Sequence, residues 1–194
     1  TDNDQSDLVT RVGSGGSIVL RTSSTGGSIT VHDGTALSDG NGVNADGPGT
    51  VLLQAQGPAG NVSFDADITS GSGHISLVAK GGISQEADVL TAGGSVFVFA
   101  DSGAIEMAPA VLTSTGGGNV IYEAELNVVL GLVDSRTDAA PDFDRTNGTT
   151  IDQANWGRVA VTTRTDSIVD ASADGDVLVD LFASVLRLDA DAAI

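Results

Sequence analysis

Short segments in which apolar and polar residues alternate recur along most of the chain. Each begins with glycine and continues with any residue, isoleucine or valine, any residue, and an apolar residue. Alternation with a period of two is typical of β-strands, because successive strand side chains point to opposite faces. The pattern therefore predicts many short strands, separated by corners in which glycine supplies positive φ angles. The phrase occupies residues 16–20, 27–31, 60–64, 73–77, 94–98, 118–122 and 157–161, with a variant at 175–179.

A longer unit returns through the middle of the chain. The segment that begins at Ala66 returns at Ala87 and again at Ala110, at offsets of 21 and 23 residues, and a looser copy begins at Val43. A fixed period of this length, with two or three strands in each copy, is typical of a solenoid. One coil cannot bury its apolar side chains alone, but stacked coils can. The repeat therefore predicts an all-β fold that forms a single-stranded parallel β-helix.

The competing all-β architecture is a sandwich, which repeats turns every 8–12 residues or so but has no phrase at a fixed offset. The two architectures differ in where equivalent residues lie. In a β-helix, Ile75, Val96 and Val120 pile up in register, about 4.8 Å apart, whereas a sandwich separates them. The segment 180–191 has some helical spacing but no convincing cap, and we interpret it as strand or irregular structure.

Domain organisation follows from where the phrase is interrupted. Residues 1–14 are assigned to a polar lead-in and residues 15–194 to the β-solenoid, with polar insertions near 33–49 and 133–156. The phrase does not recur between Val120 and Val159, which are 39 positions apart, and we expect one degenerate coil and a protruding loop there. The chain also ends in mid-pattern, so its expected partners include neighbouring repeats of a longer parent chain.

Composition narrows the range of partners. Eight Lys and Arg against 26 Asp and Glu give a formal net charge of -18, so binding to nucleic acid or to an anionic membrane is not expected. No apolar run is long enough for membrane insertion. The absence of cysteine excludes thiolate metal sites and thiol catalysis. Aromatic residues make up only 4% of the chain, which indicates a core of small aliphatic side chains.

The repeat resembles the repeats of giant bacterial cell-surface and secreted proteins, such as filamentous-haemagglutinin-like exoproteins and large repetitive adhesins. The resemblance rests on residues 73–77, 87–98 and 110–122 and on the later stretch 163–170, in which Asp166 stands where glycine is usual. It implies a right-handed β-helix, an extracellular or cell-surface location, and a possible carbohydrate or cell-surface ligand. No catalytic motif can be carried over from such proteins to this chain.

Three acidic loops are candidate calcium sites, because calcium prefers six to eight hard oxygen ligands. The first choice is the cluster around Gly175, and neither EF-hand nor calcium-binding nonapeptide spacing is present. The alternative interpretation is a solvated acidic surface. The candidates are Asp170, Asp174 and Asp176 in the first loop, Asp33, Asp39, Asn41, Asn44 and Asp46 in the second, and Asp138, Asp142 and Asp144 in the third.

Two carboxylate pairs could serve a glycosidase or polysaccharide lyase. Asp65 with Asp67, and Glu123 with Glu125, are spaced so that each pair shares one strand face, which is also where any outward polar residue would lie. An enzyme requires these pairs to converge on one lateral face with Trp156 nearby. The two histidines have simpler explanations, since His32 follows a strand phrase and His74 occupies an outward position.

Trp156 and Phe143 flank the later insertion and are candidates for partner binding, although a lone Trp more often covers a core. The leading hypothesis is a non-catalytic structural or adhesive β-helix segment of a large bacterial extracellular or cell-surface protein, without a cofactor. The first alternative is a carbohydrate-binding or polysaccharide-cleaving β-helix protein. The second is a calcium-stabilised adhesin module.

Overall fold

The computed structural model describes residues 8–34, 39–137, 155–172 and 180–194. In these residues the regular structure is almost entirely β-strand, and no α-helix is present. The strands are β1 (Leu8–Val9), β2 (Ile18–Arg21), β3 (Ile29–Val31), β4 (Asn41–Ala45), β5 (Val51–Ala55), β6 (Val62–Phe64), β7 (Asp67–Ser70), β8 (Ile75–Ala79), β9 (Ile83–Gln85), β10 (Val89–Thr91), β11 (Val96–Ala100), β12 (Ile105–Met107), β13 (Leu112–Ser114), β14 (Val120–Ala124), β15 (Val128–Leu130), β16 (Leu132–Asp134), β17 (Arg158–Thr163), β18 (Ile168–Asp170), β19 (Leu181–Phe182) and β20 (Val185–Asp189).

The strands form three sheets, and each strand pairs in parallel with the strand three places further along the chain. Sheet A contains β1, β4, β7, β10, β13, β16 and β19. Sheet B contains β2, β5, β8, β11, β14, β17 and β20, and sheet C contains β3, β6, β9, β12, β15 and β18. Each coil up to β18 thus contributes one strand to each sheet, and the last described coil contributes β19 and β20 to sheets A and B, so the predicted parallel β-helix is confirmed. The right-handed sense implied by the resemblance stays a prediction.

The interior is filled by columns of aliphatic side chains that are renewed once per coil. Ile75 pairs with Val96, which in turn pairs with Val120, and all three are buried. The column extends to Val51 on one side and Val159 on the other. The predicted register is therefore confirmed, and it excludes the sandwich.

A second column, made of glycines, explains why the strand phrase begins with that residue. A Cβ on Gly73, Gly94 or Gly118 would lie 1.9, 1.8 or 1.7 Å from the carbonyl oxygen of the equivalent glycine one coil earlier. None of these three has a positive φ angle; Gly93 (φ 114°) and Gly117 (φ 101°), each just ahead of one of them, do. Gly93 and Gly117 thus have the positive φ angles predicted for corner glycines. Gly73, Gly94 and Gly118 are instead required by the close packing of successive coils.

The limits of the solenoid differ from the sequence-based assignment. Strand β1 lies inside the segment 1–14 yet pairs with β4, and β4 itself lies inside the 33–49 insertion. Its apolar residues Val43 and Ala45 are buried, which explains why a segment that reads as polar joins the sheet. The prediction of a degenerate coil between Val120 and Val159 is wrong, because these two residues pair directly and so belong to successive coils.

The phrase also serves two different sheets. At residues 16–20, 73–77, 94–98, 118–122 and 157–161 it contributes to sheet B, but at 27–31 and 60–64 it contributes to sheet C. The segment 180–191 contains β19 and β20, which confirms strand rather than helix there.

Three polar side chains form a hydrogen-bonded cluster in the apolar interior. The Gln85 side-chain amide donates to the Thr113 hydroxyl (3.0 Å), and the Tyr122 hydroxyl lies 2.7 Å from that of Thr113 and donates to Gln85 Oε1 (3.1 Å). All three residues are fully buried, and burial raises the pKa of Tyr122 above its ordinary value. The closed set of hydrogen bonds offsets the cost of burying these groups.

Candidate functional site

The first carboxylate pair is split by a corner of the solenoid. Strand β6 ends at Phe64 and β7 begins at Asp67. The prediction that Asp65 and Asp67 share one strand face is therefore wrong. The Asp65 carboxylate lies 2.8 Å from His32 Nδ1 in the preceding coil. Asp67 accepts a hydrogen bond from the Asp88 N–H (3.0 Å). Both carboxylates therefore connect successive coils.

The second pair belongs to another sheet and other coils. Glu123 points outward from β14 in sheet B, and Glu125 follows that strand. Arg164 bridges the two, at 2.5 Å from Glu123 and 3.7 Å from Glu125. The two pairs thus do not form the convergent groove that a polysaccharide-cleaving enzyme requires.

His74 belongs to a ladder of hydrogen bonds along the corner that precedes sheet B. Its Nδ1 accepts from the N–H of Ser95 (2.9 Å), and Ser95 Oγ accepts from the N–H of Asn119 (3.2 Å). Asn119 Oδ1 accepts in turn from the N–H of Arg158 (2.9 Å). Each side chain satisfies a backbone donor of the next coil, so the structure gives His74 a structural role that its outward position alone did not reveal.

The predicted metal candidates are only partly described. Asp170 ends β18, is exposed, and accepts a hydrogen bond from the N–H of Ser172 (2.7 Å). Asp174, Asp176 and the acidic residues of the third loop lie outside the described residues. Where the structure does describe the chain, no three His, Asp or Glu side chains are grouped closely enough to hold a metal ion. Calcium binding stays a prediction.

Trp156 lies beside a buried ion pair at the end of sheet A. The guanidinium of Arg136 lies 2.7 Å from the Asp134 carboxylate, 3.9 Å from the Phe182 ring centroid and 5.9 Å from that of Trp156. Asp134 and Arg136 are only 0% and 5% exposed. Half-buried Trp156 thus packs against this cluster. Its predicted role in partner binding stays a prediction, and Phe143 lies outside the described part of the chain.

The outward face of sheet B carries a feature that the sequence analysis missed. Phe97 and Phe99 both point outward from β11, with ring centroids 6.0 Å apart and planes 9° from parallel. Apolar Val78 and Ile121 occupy adjoining outward positions in β8 and β14. The available signal was the segment Val-Phe-Val-Phe-Ala at 96–100, in which phenylalanine occupies the positions that alternation assigns to polar residues.

Fixed charges border this face along the corner that follows sheet B. Lys80 Nζ lies 2.7 Å from the Asp101 carboxylate in the next coil, and this hydrogen bond lowers the pKa of Asp101. The Arg164 guanidinium lies 5.4 Å from the Phe99 ring centroid, so one cation contacts both the ring and the glutamates described above. The border thus presents both hydrogen-bond donors and hydrogen-bond acceptors.

Beside Phe99 the face contains a shallow depression of about 360 Å³. Its floor is apolar and its border is polar, which is the usual construction of a small-molecule site. The residues that matter here are Phe99, Val78, Gln54, Gln56, Lys80 and Asp101. We take this depression as the candidate functional site.

Comparisons with protein-family models, curated proteins and solved structures found no significant match to the chain. Among the residues that the structure describes, no helix has the length and apolar character needed to span a bilayer.

Proposed function

We propose that the chain is a non-catalytic structural and adhesive β-helix segment of a large bacterial extracellular or cell-surface protein. The observation that carries the proposal is the register of sheet B, which continues from β2 to β20 through all seven strands. Strands spaced by about 4.8 Å give this sheet a length of about 30 Å along the stacking axis. A parent chain with further coils of the same kind would extend it as a rod.

The bonding between coils supports a mechanical role. Backbone hydrogen bonds join every coil to its neighbours, and the corner ladder at His74, Ser95 and Asn119 adds side-chain bonds along the same axis. Nearest-neighbour stacking of this kind makes a solenoid quasi-one-dimensional, so its stiffness resides in the interfaces between coils. A net charge of -18 keeps such rods apart in solution and discourages pairing between exposed strand edges.

The positions of the carboxylates favour this role over catalysis. The four predicted carboxylates all have structural partners, and those partners belong to different corners and sheets. A general acid and base require two carboxylates facing one substrate bond. The described carboxylates at these positions instead hold coils together.

Surface exposure on intact cells tests the location. Antibodies raised against the chain should label intact cells of the source organism, and brief protease treatment of those cells should remove the label. Labelling that needs permeabilised cells would contradict the proposal.

A second assay tests the non-catalytic assignment. The purified chain should release no reducing ends or unsaturated products from neutral or acidic polysaccharides. Turnover that is lost in Glu123→Gln but retained in the exposed control Asp189→Asn would instead establish an enzyme.

Carbohydrate binding is the second candidate function, and the outward phenylalanine pair is the observation that favours it. Aromatic rings on a solvent-facing sheet provide large contact areas for a partner. Carbohydrate binding is compatible with the structural role, because an adhesive rod requires a surface that binds a ligand.

A further inference from the structure

We propose that the depression beside Phe99 on sheet B is a binding subsite for one ring of a neutral, hydroxyl-rich ligand, that is, a sugar unit of a neutral glycan. The inference deepens the adhesive part of the proposed function and rests on it. Neither the first carboxylate pair nor the two histidines line this subsite.

The first argument is the placement of the rings. The chain has only five Phe, one Tyr and one Trp, yet two of the Phe occupy adjacent outward positions in β11. Phe64 and Tyr122, by contrast, are buried in the core, where aromatic side chains stabilise the fold most. An outward aromatic pair that continues into Val78 and Ile121 forms a contiguous apolar surface, and such surfaces mark interaction sites.

The second argument is the chemistry of the border. A sugar ring has an apolar face and a rim of hydroxyl groups that both donate and accept hydrogen bonds. The depression matches both parts, since Phe99 and Val78 are apolar while Lys80 donates and Asp101 accepts. The side-chain amides of Gln54 and Gln56, 3.2 Å apart, add both kinds of group in the coil that precedes Lys80.

The third argument is the charge of the site. Lys80 and Asp101 neutralise each other, and Glu123 and Glu125 both face Arg164. Arg21, the neighbour of Gln54 in β2, brings these groups to three cations and three carboxylates, so together they have no net positive charge that would attract a carboxylate or sulfate group on a ligand. The surrounding molecule is strongly acidic and would repel a polyanion. The charges therefore favour a neutral glycan over an acidic one.

The size of the depression agrees with this ligand. A volume of about 360 Å³ lies at the lower end of the range of small-molecule sites, about 300–1,000 Å³, and is suited to one or two rings rather than a long segment. Because the depression is shallow, a single ring buries little surface. We therefore expect a weak individual affinity, which many copies along a repetitive rod would raise by multivalency.

The test is a titration of the isotope-labelled chain, followed by backbone amide resonances. The probes are soluble oligosaccharides of glucose, mannose and N-acetylglucosamine, with oligogalacturonate as the acidic comparison. At least one neutral probe should shift the amides of β8 and β11 with a Kd of about 1 mM or tighter. Phe99→Ala and, independently, Gln54→Ala should each weaken that binding by about tenfold, a loss of about 1.4 kcal/mol.

Val169→Ala is the matched control, because Val169 is an outward apolar residue on sheet C and is 44% exposed. It should bind the probe as the wild type does, and all variants should keep the wild-type circular dichroism spectrum. The proposal fails if no neutral probe shifts β8 and β11, if only oligogalacturonate does, or if Phe99→Ala and Gln54→Ala bind normally. Concentration-dependent dimerisation that Phe99→Ala abolishes would assign the face to a second copy of the chain and also overturn it.

These outcomes are separate from those that test the proposed function. Surface labelling of intact cells and the absence of polysaccharide turnover do not depend on the depression. Failure of the titration with successful labelling removes the glycan subsite and leaves the structural role standing.

Discussion

Replacing Gly94 by alanine tests the packing argument most directly. The added Cβ would lie 1.8 Å from the carbonyl oxygen of Gly73, about half of the 3.4 Å at which ordinary contact begins. The nearest obstacle is the backbone of Gly73, with the Thr91 Oγ1 atom 2.7 Å away, so a movement of the Thr91 side chain would not relieve the clash. The two coils must separate locally, which stretches the parallel hydrogen bonds between β8 and β11 and opens the column formed by Ile75 and Val96.

The expected cost is at the upper end of the range for overpacking, about 3 kcal/mol in the free energy of unfolding. For a chain of this size, such a loss lowers the melting temperature by about 6–12 °C. The matched control is Gly27→Ala. Gly27 begins the same kind of phrase, but a Cβ there meets nothing within 4 Å, and its φ angle is not positive. That substitution should be neutral or stabilise the fold by about 0.4–1 kcal/mol, because it reduces the entropy of the unfolded chain.

The assay is urea denaturation followed by circular dichroism, with a thermal melt as a second measurement. An ordinary surface substitution changes the free energy of unfolding by less than about 0.5 kcal/mol. If Gly94→Ala changes it by no more than that, close packing of the coils is not the reason for glycine at this position. Equal destabilisation by Gly27→Ala would also refute the reasoning, since it would point to a general loss of flexibility.

Three further predictions concern buried or half-buried polar groups. Tyr122→Phe should lower the free energy of unfolding in urea by about 1–3 kcal/mol, because Gln85 and Thr113 each lose a hydrogen bond. Apolar replacement of all three residues should cost less than the sum of the three single changes, and an additive result would contradict this. Burial raises the pKa of Asp88, so the folded state binds the carboxyl proton more tightly than the unfolded state does. The contribution of Asp88 to stability therefore falls as the pH rises above the ordinary pKa of an aspartate. Asp88→Asn should therefore gain stability relative to the wild type between pH 3 and pH 7, and a constant difference would contradict the argument. Asp134→Asn should cost about 3–5 kcal/mol, because it removes the buried negative charge that faces the Arg136 guanidinium at 2.7 Å. The exposed control Asp189→Asn should cost less than about 1 kcal/mol by the same measurement.

Much of the coil could be predicted because the information is local. The alternation at 73–77 and 94–98 shows which side chains point inward, and the constant offset shows which residues share a column. Ile75, Val96 and Val120 therefore lie where the repeat places them. For 180–191 the same reasoning favours strand or irregular structure over a helix, since its apolar residues also suit a period of two, and β19 and β20 lie there.

The candidate site was harder to predict. Phe97 and Phe99 count as apolar residues in a strand, and only the pairing of β11 with β8 and β14 shows that they adjoin Val78 and Ile121 on the outer face. The depression combines residues from separate coils, and the Lys80–Asp101 pair spans 21 positions of sequence. No local pattern brings such residues together.

The interior hydrogen-bond set shows the same limit. Gln85 occupies the inward position that Phe64 and Met107 fill in neighbouring coils, so alternation alone marks it as an anomaly without naming its partners. Those partners come from sheets A and B, which face Gln85 only after the coil has closed.

The order of apolar and polar residues by itself determined that this chain winds into coils with aliphatic columns inside, because period-two alternation and a constant repeat length are both properties of neighbouring residues. The tertiary structure alone decided which sheet each phrase joins, why the first glycine of a phrase admits no side chain, and which outward groups meet beside Phe99. Those outcomes depend on contacts between successive coils, whose paired residues are separated by 20 to 48 positions and meet only when the sheets stack.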